Sequence, residues 1–169
     1  MKKAASIFLC ADMNLQDVRL LIRWMENPAV TRYLNEDPAV VFQLRQMADT
    51  VPEPMLTYHF NRKGRFFMVC TREGETVGFV KLREQGTGTH EVVYAIGDEA
   101  LWGRGYGTGA VRSVLAAAFL ERRARKVVAR IYPENRRSVR SVSRCGFQCA
   151  EKGTHLHRYE ITIEDYLNQ

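Results

Sequence analysis

The segment that decides the fold is LWGRGYGTGAVRSV, which runs from Leu101 to Val114. Glycine occupies every second position in part of it, at Gly103, Gly105, Gly107 and Gly109. Apolar residues follow at helical spacing, at Ala110, Val111, Val114, Leu115, Ala118 and Phe119. A helix N-terminus has unpaired N–H groups with partial positive charge, and glycine lets a ligand approach them closely. The segment therefore predicts an anion-binding turn at the start of a buried helix.

The regions on either side of this turn predict a sheet. Upstream, the turns REGE and QGTG separate the strands of an expected antiparallel meander, at residues 65–71, 76–84 and 89–97. Downstream, a β-branched strand at 126–132 precedes a helix that Asn135 caps and Gly146 ends. A hairpin and a short tail then complete the chain.

The N-terminal part is mostly helical by its apolar spacing. The expected elements are a strand at 4–11, a helix through residue 26 with Asp12 or Asn14 as its cap, short helices after Pro28 and Pro38, and a loop at 50–57. The whole chain thus predicts a single α+β domain over residues 1–169, in the approximate order β-α-α-β-β-β-α-β-α-β-β.

Composition narrows the function classes. Of the 169 residues, 46% are hydrophobic and 26% are charged, which suits a domain with its own core. No apolar run is long enough to span a bilayer, and the apolar patch after Lys3 is too short for a signal peptide, so we expect a cytoplasmic protein and no membrane partner. The four cysteines and four histidines do not have metal-ligand spacing, so no metal site is expected.

Much of the net charge of +6 lies in a basic block at residues 121–144, which is either a solvated face or the binding surface for a polyanionic partner. That partner is either nucleic acid or a phosphorylated small molecule. Tyr132 is the one aromatic residue in the block, and single-stranded nucleic-acid sites usually interleave aromatic and basic residues. Nucleic acid is therefore the weaker interpretation.

Three general interpretations of the glycine turn fit poorly. Gly105, Gly107 and Ala110 match the dinucleotide pattern G-x-G-x-x-A, but the following strand carries Arg130 instead of the expected acid and no further βαβ units follow. A P-loop is excluded because no glycine here precedes Lys and Ser or Thr. A turn without any ligand is disfavoured because ordering four glycines on folding is costly in conformational entropy.

A resemblance to a known family accounts for both the turn and the basic block. LWGRGYGTGAVRSVL resembles the acetyl-CoA-binding signature of the GNAT superfamily of N-acetyltransferases, with its glycines at Gly105 and Gly107. NRRSVRSVSRCGF at 135–147 resembles the family's Asn-x-x-Ala/Ser pattern closing in Gly-Phe. LIRWMENPAVTRYLNE resembles the branch with ribosomal-protein N-terminal, antibiotic and polyamine acetyltransferases. The resemblance implies a mixed, mostly antiparallel GNAT-like sheet flanked by helices, and direct acetyl transfer from acetyl-CoA to a primary amine of a small molecule or peptide N-terminus.

The resemblance also implies which residues bind acetyl-CoA: Ala95, Ile96, Trp102, Gly103, Arg104, Gly105, Tyr106, Gly107, Thr108, Gly109, Asn135, Ser138 and Arg144. Two positions depart from the family pattern. Trp102 replaces a polar residue at the start of the signature, and Val142 replaces the tyrosine that many members use as general acid. Because valine cannot donate a proton, a catalytically inactive acetyl-CoA-binding regulatory protein remains an alternative.

The implied catalytic residues are Glu91, Tyr94 and Asn135. An alkylamine has a pKa near ~10.4, so the site needs a base, and the resemblance assigns that role to Glu91 acting through water. In a regular strand Tyr94 faces away from Glu91, although a bulge would change this. The backbone N–H of Ala95 or Ile96 is the expected oxyanion donor.

The acceptor pocket is expected from the N-terminal helices and the last hairpin, with contacts from Trp24, Tyr33, Glu36 and His155. The acids Glu26, Glu36, Asp37 and Glu53 gather in this part of the sequence and suggest a cationic acceptor. The sequence identifies neither the acceptor nor the oligomeric state; a homodimer is compatible with it.

Overall fold

The computed structural model describes residues 5–169 and arranges them around one seven-stranded sheet in the order β1-β2-β3-β4-β5-β7-β6. Neighbouring strands are antiparallel except β4 and β5, which are parallel. The strands are β1 Ile7–Cys10, β2 Gly64–Thr71, β3 Thr76–Glu84, β4 Thr89–Ile96, β5 Lys126–Ile131, β6 Gln148–Lys152 and β7 His157–Thr162. The predicted α+β class, meander and final hairpin are confirmed, while residue 4 of the first predicted strand lies outside the described residues.

The helices are α1 Leu15–Met25, α2 Pro28–Thr31, α3 Val40–Thr50, α4 Leu56–Phe60, α5 Tyr106–Ala116, α6 Arg136–Arg144 and α7 Ile163–Leu167. Asn14, one of the two expected caps, forms a capping box with Asp17 at the start of α1. The longest of these helices have eleven residues, and none of the described helices is long and apolar enough to cross a membrane. The described residues also contain no group of three or more His, Cys, Asp or Glu side chains arranged to hold a metal ion.

Two sequence predictions about helices are wrong. The expected loop at 50–57 instead contains a 3-10 turn at Glu53–Met55 that leads directly into α4. Pro54 lies in the first turn, where a missing N–H costs no hydrogen bond, so proline begins this helix and does not prevent it. The expected tail is α7, which Thr162 and Asp165 start with a second capping box.

Two cores lie on opposite faces of the sheet. Alternation along β3 sends Val80 and Leu82 to the first core, beneath α5 and α6, and Phe79 to the second core, beneath α1 and α3. Every apolar residue predicted for the stripe on α5 and its continuation is buried in the first core. The sheet is thus covered on both faces, and access to its middle requires a gap between strands.

Such a gap opens between β4 and β5. The two strands pair only from Thr89 to Glu91 on β4 with Lys126 to Val128 on β5. Beyond Glu91 the strands separate, while β4 stays paired with β3 as far as Ile96. The separation leaves one edge of β4 without a strand partner, and the candidate site forms there.

Candidate active site

A cleft follows the gap between β4 and β5 and has two ends. We call the part lined by residues 102, 103, 105–108, 135, 137, 138, 140, 141 and 144 the turn end, and the part lined by residues 29, 30, 33–35, 91–95 and 129–131 the sheet end. The turn end contains the glycine segment and the start of α6. The sheet end contains α2 and the separated strands.

The turn end exposes the beginning of α5. Gly105 caps this helix with φ 92°, a left-handed conformation that favours glycine, and no side chain caps the first turn. A Cβ on Gly103 would meet no atom within 4 Å, so there is open space beside its Cα. The same end is lined by three arginines of α6, Arg137, Arg140 and Arg144. Uncapped N–H groups together with guanidinium groups suit a phosphate or diphosphate.

The other two glycines of the segment, Gly107 and Gly109, allow close packing of α5 against neighbouring elements. A Cβ on Gly107 would lie 3.1 Å from Cε2 of Tyr94 and 3.5 Å from Oγ of Ser141, so this glycine lets α5 approach both β4 and α6. A Cβ on Gly109 would lie 2.7 Å from the carbonyl oxygen of Ala5. Gly109 is therefore a contact between α5 and the chain before β1, away from the cleft, contrary to its expected place in the ligand cradle. Arg104 is exposed and also does not line the cleft.

Tyr94 lies between the first core and the turn end. No bulge interrupts the pairing of β3 with β4, so Tyr94 and Glu91 face opposite sides of the sheet. The Tyr94 hydroxyl is buried and has no hydrogen-bond partner among the described residues. Burial raises the pKa of Tyr94 to about 12; the nearby hydroxyls of Ser138 and Ser141 oppose this rise without reaching hydrogen-bond geometry. The site therefore holds an unsatisfied, protonated donor.

Two residues organise the start of α6. Asn135 caps the helix: its Oδ1 accepts from the Ser138 N–H at 3.4 Å, and its Nδ2 donates to the Ser138 Oγ at 3.0 Å. Trp102 joins this helix to the end of β4, because its Nε1 donates to the Ile96 carbonyl at 2.9 Å and its ring lies 3.6 Å from the Arg137 guanidinium carbon. Val142 is fully buried in the first core, so that position offers the cleft no proton donor.

One ion pair dominates the sheet end. Oε2 of Glu91 lies 3.3 Å from Nη1 of Arg130, which reaches it from β5. The Glu91 side chain is only 10% exposed, whereas that of Arg130 is 36% exposed. Sequence reasoning named Glu91 but used Arg130 only to reject a dinucleotide site. The alternation of residues along β5 could have indicated this role for Arg130, because it places Arg130 on the face opposite the first-core residues Ala129 and Ile131.

Of the four expected acceptor contacts, only Tyr33 lines the cleft. Trp24 is buried in the second core, where its indole occupies the space that a side chain on Gly97 would need. Glu36 is paired with Lys81 and Arg83 on β3, and His155 is exposed in the connection between β6 and β7. These three residues therefore lie outside the cleft. Asn35, Val93 and Arg130, which were not expected, line the sheet end instead.

The other acids expected around the acceptor have partners within the protein. Glu26 is paired with Arg45. Asp37 accepts from the N–H of Ala39 at 2.8 Å, and Glu53 accepts from the N–H of Leu15 at 3.1 Å. These three acids thus contact helices of the N-terminal part or the residues beside them.

Comparison with known proteins identifies the family. Residues 11–148 match the family model described as the acetyltransferase (GNAT) domain, which covers most of the chain. The chain belongs to the GNAT acetyltransferase family. This confirms the resemblance inferred from the glycine turn and the Asn135 segment.

Individual relatives of this GNAT chain are similar in sequence or in fold. It is 28% identical over 141 residues to the uncharacterized N-acetyltransferase p20 of Bacillus licheniformis, covering 80% of this chain and 76% of that protein. The aminoglycoside acetyltransferase AAC(6')-Ib, solved in complex with coenzyme A, aligns with a TM-score of 0.78 at 17% identity, covering 97% and 99% of the two chains. The spermidine N-acetyltransferase of Vibrio cholerae, solved with CoA and spermine, aligns with a TM-score of 0.77 at 20% identity, covering 96% and 98%.

Proposed function

We propose that this GNAT chain transfers an acetyl group from acetyl-CoA to a primary amine by direct attack of the amine on the thioester. The observation that supports this most strongly is the uncapped start of α5 facing the gap between β4 and β5, beside arginines of α6. The structural relatives named above, which were solved with CoA, include proteins named for acetylating aminoglycosides and spermidine. This chain shares their fold, and we propose that it also shares their acetyl-transfer chemistry.

The residues at the turn end fit the coenzyme. The backbone from Gly103 to Thr108 would hold the diphosphate, and Arg137, Arg140 and Arg144 would add charge-assisted contacts to phosphate oxygens. The free edge of β4 at Ile96 would pair with an amide group of the pantetheine arm, as an added strand does, whereas the carbonyl of Ala95 points toward Gly78 on β3. When bound, acetyl-CoA supplies the activated acetyl group.

Glu91 is the proposed base. The Glu91 carboxylate, which Arg130 contacts from β5, would accept a proton of the incoming ammonium group through water. Glu91 lies on the face of β4 that is shared with Val93 and Ala95, so the amine would enter from the sheet end. The N–H of Ile96 would stabilise the developing oxyanion, since the N–H of Ala95 lies on the β3 side of the strand with its carbonyl.

Tyr94 and Asn135 complete the proposed set on the opposite side of β4. A hydroxyl with a pKa of about 12 keeps its proton at neutral pH, and Tyr94 makes no hydrogen bond to the described residues, so it would donate toward the departing thiolate. This would replace the donor that Val142 cannot provide. A thiol pKa of ~8.5 makes the demand for an acid modest. Asn135 would contact the pantetheine arm or the amine while continuing to cap α6.

The experiment that tests the proposal has two stages. Acetyl-CoA should raise the melting temperature of the purified chain, because a ligand that binds only the folded state stabilises it. Thiol release should then follow the addition of an accepted amine. A thermal shift without thiol release from any amine would favour the alternative, a regulatory protein that binds acetyl-CoA without catalysis. Absence of any shift would end both interpretations.

Peptide N-termini remain within the proposed acceptor class beside small molecules. We also propose that residues 1–169 act as a single domain and that the protein works in the cytoplasm. Light scattering would establish whether the domain is a monomer or a homodimer.

A further inference from the structure

The charge at the sheet end indicates what kind of amine fits there. Among the described residues that line this end, Glu91 and Arg130 are the only charged side chains. They are paired with each other, and Arg130 is the more exposed of the two. An acceptor entering the cleft therefore meets one carboxylate and one guanidinium side by side.

The ion pair leaves part of Arg130 unused. Arginine has five N–H donors, and the contact with Glu91 is the only hydrogen bond or ion pair of Arg130 found among the described residues. The guanidinium is planar and suits two parallel hydrogen bonds to a carboxylate. Arg130 thus has donor capacity for a second anionic group, one brought by the acceptor.

Arg130 and its cross-strand neighbour differ in how their charges are paired. Arg130 stands directly opposite Arg158 on β7, and like charges at such cross-strand positions repel each other. Arg158 is neutralised by Glu151 and Glu160, and Glu160 also pairs with Lys126. Glu91 alone faces the charge of Arg130 within the cleft. The sheet thus supplies its own partners for Arg158, whereas Arg130 has one partner in the cleft and further donors that an acceptor could use.

A polycationic acceptor fits this end badly. Its additional ammonium groups would lie near Arg130, while the acids Glu26, Glu36, Asp37 and Glu53 are already bound to partners elsewhere. A zwitterion fits well, because its ammonium complements Glu91 and its carboxylate complements Arg130.

We infer that the acceptor is an amino carboxylate, whose carboxylate binds Arg130 while its amine faces Glu91. This inference rests on the proposed acetyl transfer and names its substrate class. Arg130 is then the residue that determines specificity between zwitterionic amines and polyamines. It would act on the acceptor and would leave binding of the coenzyme at the turn end unchanged.

The test compares amines that differ only in the carboxylate. Thiol release would be measured with glycine against glycinamide and with β-alanine against β-alaninamide, and spermidine would represent polyamines. For the wild-type chain we expect kcat/KM to be higher for the carboxylate of each pair by about tenfold, the effect of one charge-assisted pair of hydrogen bonds. In Arg130→Gln the ratio should fall close to one.

Arg158→Gln is the matched control, since it removes the neighbouring arginine on the same face but outside the cleft. It should retain the preference for the carboxylate. Calorimetric titration of the same amines into the chain saturated with CoA gives a readout that needs no turnover, and the carboxylate should again bind more tightly. The inference is overturned if wild type prefers the amides or spermidine, or if Arg130→Gln keeps the full ratio. Acetylation of those other amines would leave the proposed function intact, whereas failure of acetyl-CoA to bind would refute that function itself.

Discussion

Gly107 on α5 lies against the ring of Tyr94 on β4, so close that a Cβ on the glycine would stand 3.1 Å from Cε2 of the tyrosine. This contact connects the proposed phosphate cradle to the proposed proton donor. The glycine signature therefore has two roles: it exposes backbone at Gly103 and Gly105, and it allows close packing at Gly107.

Replacing Gly107 tests the cradle. Gly107→Glu should abolish the acetyl-CoA thermal shift, because the side chain would displace Tyr94 and place negative charge beside the phosphates. Thr87→Glu introduces the same charge in the exposed turn before β4 and should retain the shift. Normal acetyl-CoA binding by a folded Gly107→Glu variant would show that the cradle lies elsewhere.

Removing the Tyr94 hydroxyl should separate stability from activity. Tyr94→Phe deletes a buried hydroxyl without a partner, so the free energy of unfolding of the ligand-free protein should rise, by about 1 kcal/mol. Turnover should fall, because the proposed donor to the thiolate is lost. Denaturant unfolding and thiol release measure the two effects. A less stable variant with unchanged turnover would assign Tyr94 to packing alone.

Glu91→Gln should lower kcat while leaving the affinity for acetyl-CoA nearly intact, since Glu91 lies at the sheet end and the coenzyme contacts lie at the turn end. The expected loss is about 10²-fold or more, the usual contribution of a general base. A pH profile of kcat/KM provides the second readout. If turnover is unchanged at every pH, Glu91 is not the base.

His90 should make stability depend on pH. Its ring is 7% exposed, and neither nitrogen has a partner among the described residues. Burial lowers the pKa of His90 below 6.5; Glu84 opposes this and Arg122 adds to it. Below pH 6.5 the unfolded chain therefore binds a proton that the folded chain resists, and stability should fall as pH decreases from 6.5 toward the folded pKa.

The measurement for His90 is the melting temperature across this pH interval. His90→Leu should show a shallower decrease than wild type, because the residue that binds the extra proton on unfolding is absent. His59→Leu is the control histidine variant. Identical slopes for wild type and His90→Leu would mean that His90 titrates alike in both states.

The cysteines should differ in reactivity. Cys149 is exposed, whereas burial raises the pKa of Cys10 and of Cys145 to about 11. Because the thiolate is the nucleophile, iodoacetamide at neutral pH should modify Cys149 first. Peptide mass spectrometry over time gives the order. Faster modification of Cys145 would indicate that the first core opens readily.

The sequence predicted the parts of the fold that depend on local pattern. Alternation identified the meander, and the spacing after Gly109 identified α5 and its buried face. It missed α4, because prolines at the start of a helix and prolines in a loop look alike in one dimension. The candidate site followed from the glycines, since their chemistry is carried by backbone within a single segment.

The sheet end could not be predicted in the same way. Its key contact joins Glu91 to Arg130 across two strands that pair only briefly, so it depends on register and on where those strands separate. The acids between Glu26 and Glu53 looked available because sequence does not show which of them already cap helices or form ion pairs. Trp24 looked like a pocket wall because burial and pocket lining both favour aromatic residues.

The separation of β4 from β5 also bears on the kinetic mechanism. Tyr94 and Glu91 project from opposite faces of one strand, so donor and acceptor would reach the same opening from two separate entrances. Both reactants could therefore be bound at the same time, in a ternary complex. Double-reciprocal plots of initial rate at several fixed concentrations of the other reactant should then intersect instead of running parallel, and each product should be able to dissociate on its own side.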